Sequence, residues 1–548
     1  MKNLAYLVAL LILLSGCSSQ IQRTVEYELS QLSNEPNNPT EEQKLSCVDW
    51  TQHVVAIDKR GRFAPVKFTI PDDDRKDSKT DIKNGCDPAT NLDIHLDNIV
   101  NSVRVSGRKK LLIFIHGGMN GYKSSLKRVE RDLPKMMKDR DTYPIFVVWP
   151  SEMFDSYGDS IANYYQGSWD HRGYFLSVPF MAATDLAEVG TRSVLSYGKQ
   201  TNLLLGSTCF NEYWRGFLPL YCGPNPNKPA FAEIKPTNGQ RNQNGDERNP
   251  TNDPCEEADP PRGYSCVKTS AKEAGDFWRL KNILLSPLKL ISVPVIDPLG
   301  ERDWNSMISR TRFAMRQPCK DDVWAKGNCE AGPAYKLFKI INEKLQDREI
   351  TLIGHSMGAI VASEAVNAFP DLPYRNVVFM GAAVSVREFS KSVQRVLKER
   401  VLKEQGEKTL INANDCARDK VGVLGNPDEA KRKPFYFFNL SLHPYAEATE
   451  ENGYGAAPSG SLLEWIDTNF TQPADIADRT LGRWANISPL RYILDQDLLN
   501  SGYMHFKRFG LDFNGPHSHG GLANPDARDN PEESEKKYGV YWNPEYWL

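Results

Sequence analysis

Apolar residues gather into short runs, separated by stretches of helical spacing. Lys110-Leu111-Leu112-Ile113-Phe114-Ile115 and Tyr143-Pro144-Ile145-Phe146-Val147-Val148-Trp149 are nearly unbroken, as are Ile350–Ile353, Asn376–Gly381 and Phe435–Leu442. Runs of this length, bounded by turn residues, predict strands buried on both faces. Helical spacing predicts a helix over Ser124–Lys138, and another with Leu337, Phe338, Ile340, Ile341 and Leu345 on one face. A third follows Ser356, with apolar residues at Ile360, Val361, Ala365, Val366 and Phe369, and Pro370 ends it. Leu96–Val103 reads as a short helix, Trp50–Phe68 as one or two strands joined at Lys59-Arg60-Gly61, and Tyr503–Phe509 as a late strand. Strands alternating with helices predict an α/β fold, a mainly parallel sheet with helices on both faces. Active groups in such a sheet sit at the carboxyl ends of its strands.

Two regions break the alternation. The gap between Trp149 and Ile350 is too long for one crossover. Its first part, Ile161–Leu205, reads as helical, Pro224–Arg262 as an exposed loop, and Trp304–Arg316 as helical again. This predicts a large helical and loop cap inserted over residues 151–333, between core segments 46–150 and 334–548. The second break is the start. Leu4–Leu14 is almost wholly apolar behind the single charge of Lys2, too short for a permanent span and suited to a signal peptide over residues 1–16. Residues 17–45 are mostly polar and read as a flexible tether.

Composition narrows the classes. A net charge of −3 over 548 residues gives no basic field for nucleic acid. Export permits disulfides among the ten cysteines. Close spacing suggests Cys209–Cys222, Cys255–Cys266 and Cys319–Cys329, with Cys47–Cys86 as a further pair and Cys416 left over. Sequence does not fix that connectivity. There is no Cys-x-x-Cys or His-Glu-x-x-His, so nothing points to zinc.

The chemistry concentrates at Gly354-His355-Ser356-Met357-Gly358, between the Ile350 strand and the helix after it. Strand, tight turn, serine and helix make the context of a nucleophile elbow. The glycines two before and two after the serine leave room for the turn. Ser356 would then stand exposed above the sheet, with the Met357 amide free to donate to an oxyanion.

With these residues goes His116-Gly117-Gly118 after the Lys110–Ile115 strand, and a late histidine loop, Pro516-His517-Ser518-His519-Gly520-Gly521. Together they resemble the α/β-hydrolase fold in its lipase and esterase branch, over roughly residues 108–149 and 349–548. The resemblance implies an oxyanion hole from the amides of Met357 and Gly118. It implies a general base after the last strand, for which His519 is preferred over His517. It places an acid after the Phe435–Leu442 strand, where no aspartate occurs. Glu447 is the nearest carboxylate and the preferred one, with Glu450, Glu451 and the more distant Asp467 as alternatives. Leu14-Ser15-Gly16-Cys17 resembles the bacterial lipobox, which implies lipid modification of Cys17. Ser18 in the next position, rather than aspartate, implies sorting to the outer membrane.

The expectation is therefore a membrane-anchored serine hydrolase of carboxylic esters, lipid or acyl esters among them, acting through an acyl-enzyme. No cofactor, metal or nucleic-acid partner is implied. The alternative is a non-catalytic envelope lipoprotein that keeps the scaffold as a binding platform.

Overall fold

A computed structural model describes residues 26–28, 51–69, 91–118, 122–151, 164–165, 168–169, 255, 262–267, 300, 304–318, 330–405, 433–450, 460–471, 475–490, 493–510, 515–523 and 539–548. Among the described residues eight strands form one sheet: β1 (Val54–Ala56), β2 (Lys110–Ile115), β3 (Thr142–Val148), β4 (Tyr264–Cys266), β5 (Glu349–His355), β6 (Tyr374–Met380), β7 (Tyr436–Ser441) and β8 (Met504–Arg508). Their order is β1-β3-β2-β5-β6-β7-β8-β4. The pairs β1–β3, β2–β3, β6–β7, β7–β8 and β8–β4 run parallel. This is the mainly parallel α/β sheet that the apolar runs predict. Two compact units divide the chain within β5, Met1–Ala182 with Arg302–Leu352 and Ala183–Glu301 with Ile353–Leu548.

In the first unit β1, β2 and β3 bury Val54, Val55, Ile113, Ile115, Ile145 and Val147 at 2 % exposure or less. Full burial on both faces explains their unbroken apolar sequence. Helix α1 (Leu92–Val105) buries Leu96, Ile99, Val100 and Val103, and Asn91 caps it by accepting from the Asp93 amide. It packs beside α3 (Pro333–Lys344), with Lys336–Asp93 and Lys344–Asp97 ion pairs at the surface. Helix α2 (Tyr122–Met136) joins β2 to β3. Gly61, with φ +73°, turns the chain between Ile57 and Phe63. Residues 304–314 are helical, as their spacing predicts.

In the second unit β6 and β7 bury Val377, Val378, Phe379, Phe437 and Leu440, and Phe379 meets Phe437 edge-on at 5.2 Å. The aromatic contacts continue from Phe437 to Phe506 on β8. Helix α4 (Gly358–Ala368) follows β5 and buries Ile360, Val361, Ala365 and Val366.

Three expectations need correction. Tyr264–Cys266 lies inside the segment expected to form only a cap, yet it pairs with β8 as an edge strand of the sheet. The Cys255–Cys266 disulfide holds it there, and the other suggested pairs lie outside the described residues. Residues 26–28, expected within the tether, pair in parallel with 67–69. Tyr164–Tyr165 and Ser168–Trp169 form a small antiparallel ribbon where a helix was expected. Short aromatic, β-prone stretches of this kind satisfy a helical apolar count as readily as an extended one. Cys17 and the signal segment lie outside the described residues. Among the described residues no helix is long and apolar enough to cross a membrane.

Candidate active site

Ser356 begins the turn at the carboxyl end of β5. It is the one non-glycine residue among those described with a positive φ, +53°. A serine in the left-handed region costs about 1–3 kcal/mol, which its neighbours must offset. The Ser356 amide donates to the Met380 carbonyl at 2.9 Å. Its own carbonyl accepts from Ala359 at 3.1 Å and Ala383 at 3.0 Å. Gly354 makes the turn sterically open, because a Cβ there would lie 2.7 Å from Ala359 Cα and 2.8 Å from the Gly358 carbonyl oxygen. Met357 sits directly ahead of α4 and is fully buried.

The hydroxyl does not stand exposed, contrary to expectation. Ser356 is 0 % exposed, and its Oγ has no hydrogen-bond partner. Loops close around the turn: Ala383, after β6, bonds its carbonyl, and the late histidine loop is tied to its neighbour His355.

His519 comes from that late loop, just before the short helical turn Gly520–Ala523. It is 7 % exposed, and its Nε2 is buried without a partner. Its main chain is bonded twice. The N–H donates to Glu450 Oε2 at 2.9 Å, and the carbonyl accepts from His355 Nε2 at 3.0 Å. The two imidazoles lie 5.1 Å apart. Burial alone pulls the His519 ring down to a pKa of about 4, so it is neutral at pH 7. His517, the weighed alternative, instead donates from Nδ1 to the Gly515 carbonyl at 2.7 Å. His505 stacks on Phe438 within the sheet region, at 5.0 Å.

Glu447 makes no hydrogen bond to the His519 ring. It lies in the helix Pro444–Thr449 after β7, 1 % exposed, with its carboxylate 3.7 Å from Arg483 Nε. Glu464 and Asp467 approach the same guanidinium at 3.7 and 3.2 Å. Asp467 also accepts from Thr480 and from Asn486 Nδ2 at 2.7 Å. One buried cation thus serves three buried carboxylates. Burial, together with the neighbouring acids, pushes the Glu447 carboxyl well above its ordinary range, against the pull of Arg483. The preferred acid is therefore part of an internal ionic cluster, because an uncompensated Arg483 would be too costly to bury. The alternative Asp467 belongs to that cluster too, and Glu451 lies outside the described residues. Glu450 reaches His519, but through the peptide amide rather than the ring.

In the first unit His116, at the end of β2, has a structural task. Its Nε2 accepts from the Trp149 amide at 2.8 Å and from Ser125 Oγ at 3.3 Å, while Nδ1 donates to the Gly117 carbonyl at 2.6 Å. The ring stacks on Trp149 at 4.4 Å. Burial lowers its pKa to about 3, with Arg128 adding to the effect. These bonds require a neutral imidazole with the proton on Nδ1. They fix the start of the loop that carries Gly117 and Gly118.

Sequence reasoning missed His355 and Gly381. His355 is the variable residue of the Gly-x-Ser-x-Gly pattern, where no side chain is demanded. Gly381 follows a strand, where a glycine reads as an ordinary turn; its φ is +51°. Among the described residues no group of three His, Cys, Asp or Glu side chains is placed to hold a metal ion. No protein-family model matches the chain, and no curated protein or solved structure was found similar to it.

Proposed function

We propose that the protein is a serine hydrolase of the α/β-hydrolase type, with Ser356 as nucleophile and His519 as general base. The observation that carries this reading is a pair of orphaned atoms. Ser356 Oγ and His519 Nε2 are both buried and both lack a partner, although the segments bearing them are bonded to each other through His355. Other buried polar atoms among the described residues are unsatisfied too, but these two lie on segments bonded to each other and belong to a nucleophile and a base, which gives them a functional cause. A base and nucleophile that tighten only around substrate provide it. The strained φ of Ser356 and the neutral His519 support the same roles.

In this mechanism His519 Nε2 takes the Ser356 proton as Oγ attacks an ester carbonyl. The tetrahedral oxyanion is held by the Met357 amide at the head of α4. His519 then protonates the leaving alcohol. Water, deprotonated by the same nitrogen, releases the acyl group. Carboxylic esters, lipid or acyl esters among them, are the proposed substrates, and Cys17 the proposed lipid anchor to the outer membrane.

A burst experiment tests the chemistry. Wild type mixed with p-nitrophenyl butyrate should release about one p-nitrophenol per chain before a slower steady rate, and Ser356→Ala should show neither phase. Equal rates in the two proteins sink the proposal. The second reading, a binding platform without catalysis, is favoured by one observation. No carboxylate among the described residues bonds the His519 ring, which leaves any imidazolium without the support an acid gives.

A further inference from the structure

His519 is oriented through its peptide group. A histidine steered by a triad acid donates Nδ1–H to a carboxylate. Here the carboxylate sits on the main chain instead, with Glu450 Oε2 2.9 Å from the His519 nitrogen. The other face of the same residue is held by His355, whose Nε2–H donates to the His519 carbonyl at 3.0 Å. The two contacts come from different elements. Glu450 follows the helix after β7, and its own carbonyl accepts from Gly460 at 3.0 Å. His355 is the last residue of β5 and immediately precedes the nucleophile. Only one peptide bond therefore separates the anchor of the base from Ser356. Gly381 leaves the space that the imidazole fills.

We infer that Glu450 and His355 are positioning residues that set the base against Ser356 by clamping the backbone N–H and C=O on either side of the His519 Cα. This rests on the serine-hydrolase reading above. The clamp needs an acceptor at position 450 and a donor at 355, and it does not need a charge at 450. A neutral amide oxygen accepts from the His519 N–H as a carboxylate does, though less strongly. Losing the acceptor leaves a buried N–H unsatisfied and lets the His519 segment shift. A displacement of about 1 Å at a catalytic group costs on the order of 10²-fold in rate.

The test is the rate constant for fluorophosphonate labelling of the full chain, in wild type, Glu450→Ala, Glu450→Gln and His355→Phe, with folding checked by circular dichroism. The expected result is a loss of about 10- to 100-fold in Glu450→Ala and a similar loss in His355→Phe. Glu450→Gln should recover most of the rate lost in Glu450→Ala, with the acid limb of the pH profile unmoved. A loss in Glu450→Gln approaching about 10⁴-fold, the size seen when a ring-bonded acid becomes an amide, overturns the inference and makes Glu450 a ring acid. Wild-type labelling in a folded Glu450→Ala overturns it too. If Glu450→Ala does not fold, His355→Phe takes its place, and wild-type labelling in a folded His355→Phe overturns the inference. A folded wild type that takes no label removes the hydrolase reading and the clamp with it. Labelled wild type with an indifferent clamp removes only the clamp.

Discussion

Gly381, just past the end of β6, lies directly against the imidazole of His519: a Cβ on it would stand 2.9 Å from both Cε1 and Nδ1 of that ring. Its φ of +51° would also strain any side chain. Gly381→Ala should therefore push the ring aside. The expected outcome is a labelling rate at Ser356 down at least about tenfold, with stability lower by about 1–3 kcal/mol in urea denaturation. An unchanged rate would show that the ring's present position does not matter to the serine.

The Arg483 cluster makes a prediction that separates structure from catalysis. Arg483→Met would leave Glu447, Glu464 and Asp467 buried around an apolar chain. Breaking a buried ion pair from one side costs about 3–5 kcal/mol, readable in the denaturation midpoint. Glu447→Gln removes one of the three carboxylates while two remain with Arg483, and it should keep the hydrolytic rate within about tenfold. A fall of about 10⁴-fold would mean that Glu447 does serve the His519 ring.

Burial sets the pH response. His53 and His519 are held at a pKa of about 4 and His116 and His443 at about 3, chiefly by desolvation. Unfolding returns each to about 6.5, so the unfolded chain binds more protons below that pH. Stability from these groups is complete above pH 6.5 and is lost as pH falls through the window down to about 3. The melting temperature should fall steeply from pH 6.5 downward. His53→Gln should flatten that slope, because the amide can still donate to the Pro144 carbonyl without gaining a proton. For catalysis the sign is the same, since only the neutral base accepts a proton. Labelling at pH 5.5 should stay close to its pH 7 rate in folded protein, where a histidine of pKa about 6.5 would lose about nine-tenths.

The sheet was legible because its central strands are buried on both faces, and that forces continuous apolar runs such as Leu111–Ile115. The boundaries of β2 fall where the run begins and ends. The elbow was legible because Gly354 has a steric reason visible in spacing alone. The edge strand β4 was not, since three residues carry no periodicity and Cys255–Cys266 does part of the holding. The partner of Glu447 was not legible, because nearness in sequence to β7 says nothing of where a carboxylate points. The competing partner, Arg483, lies 36 residues further on (483 − 447). The bond from Glu450 to a peptide amide has no sequence signature at all, as any acceptor of the right length satisfies it.

The most direct measurement is the intact mass of the full chain after a fluorophosphonate probe, for wild type, Ser356→Ala and His519→Ala. The prediction is one adduct on wild type, mapped to the Ser356 peptide, none on Ser356→Ala, and slowed formation on His519→Ala. A folded wild type without an adduct, or an adduct that persists in Ser356→Ala, would contradict the assignment of Ser356 as an activated nucleophile.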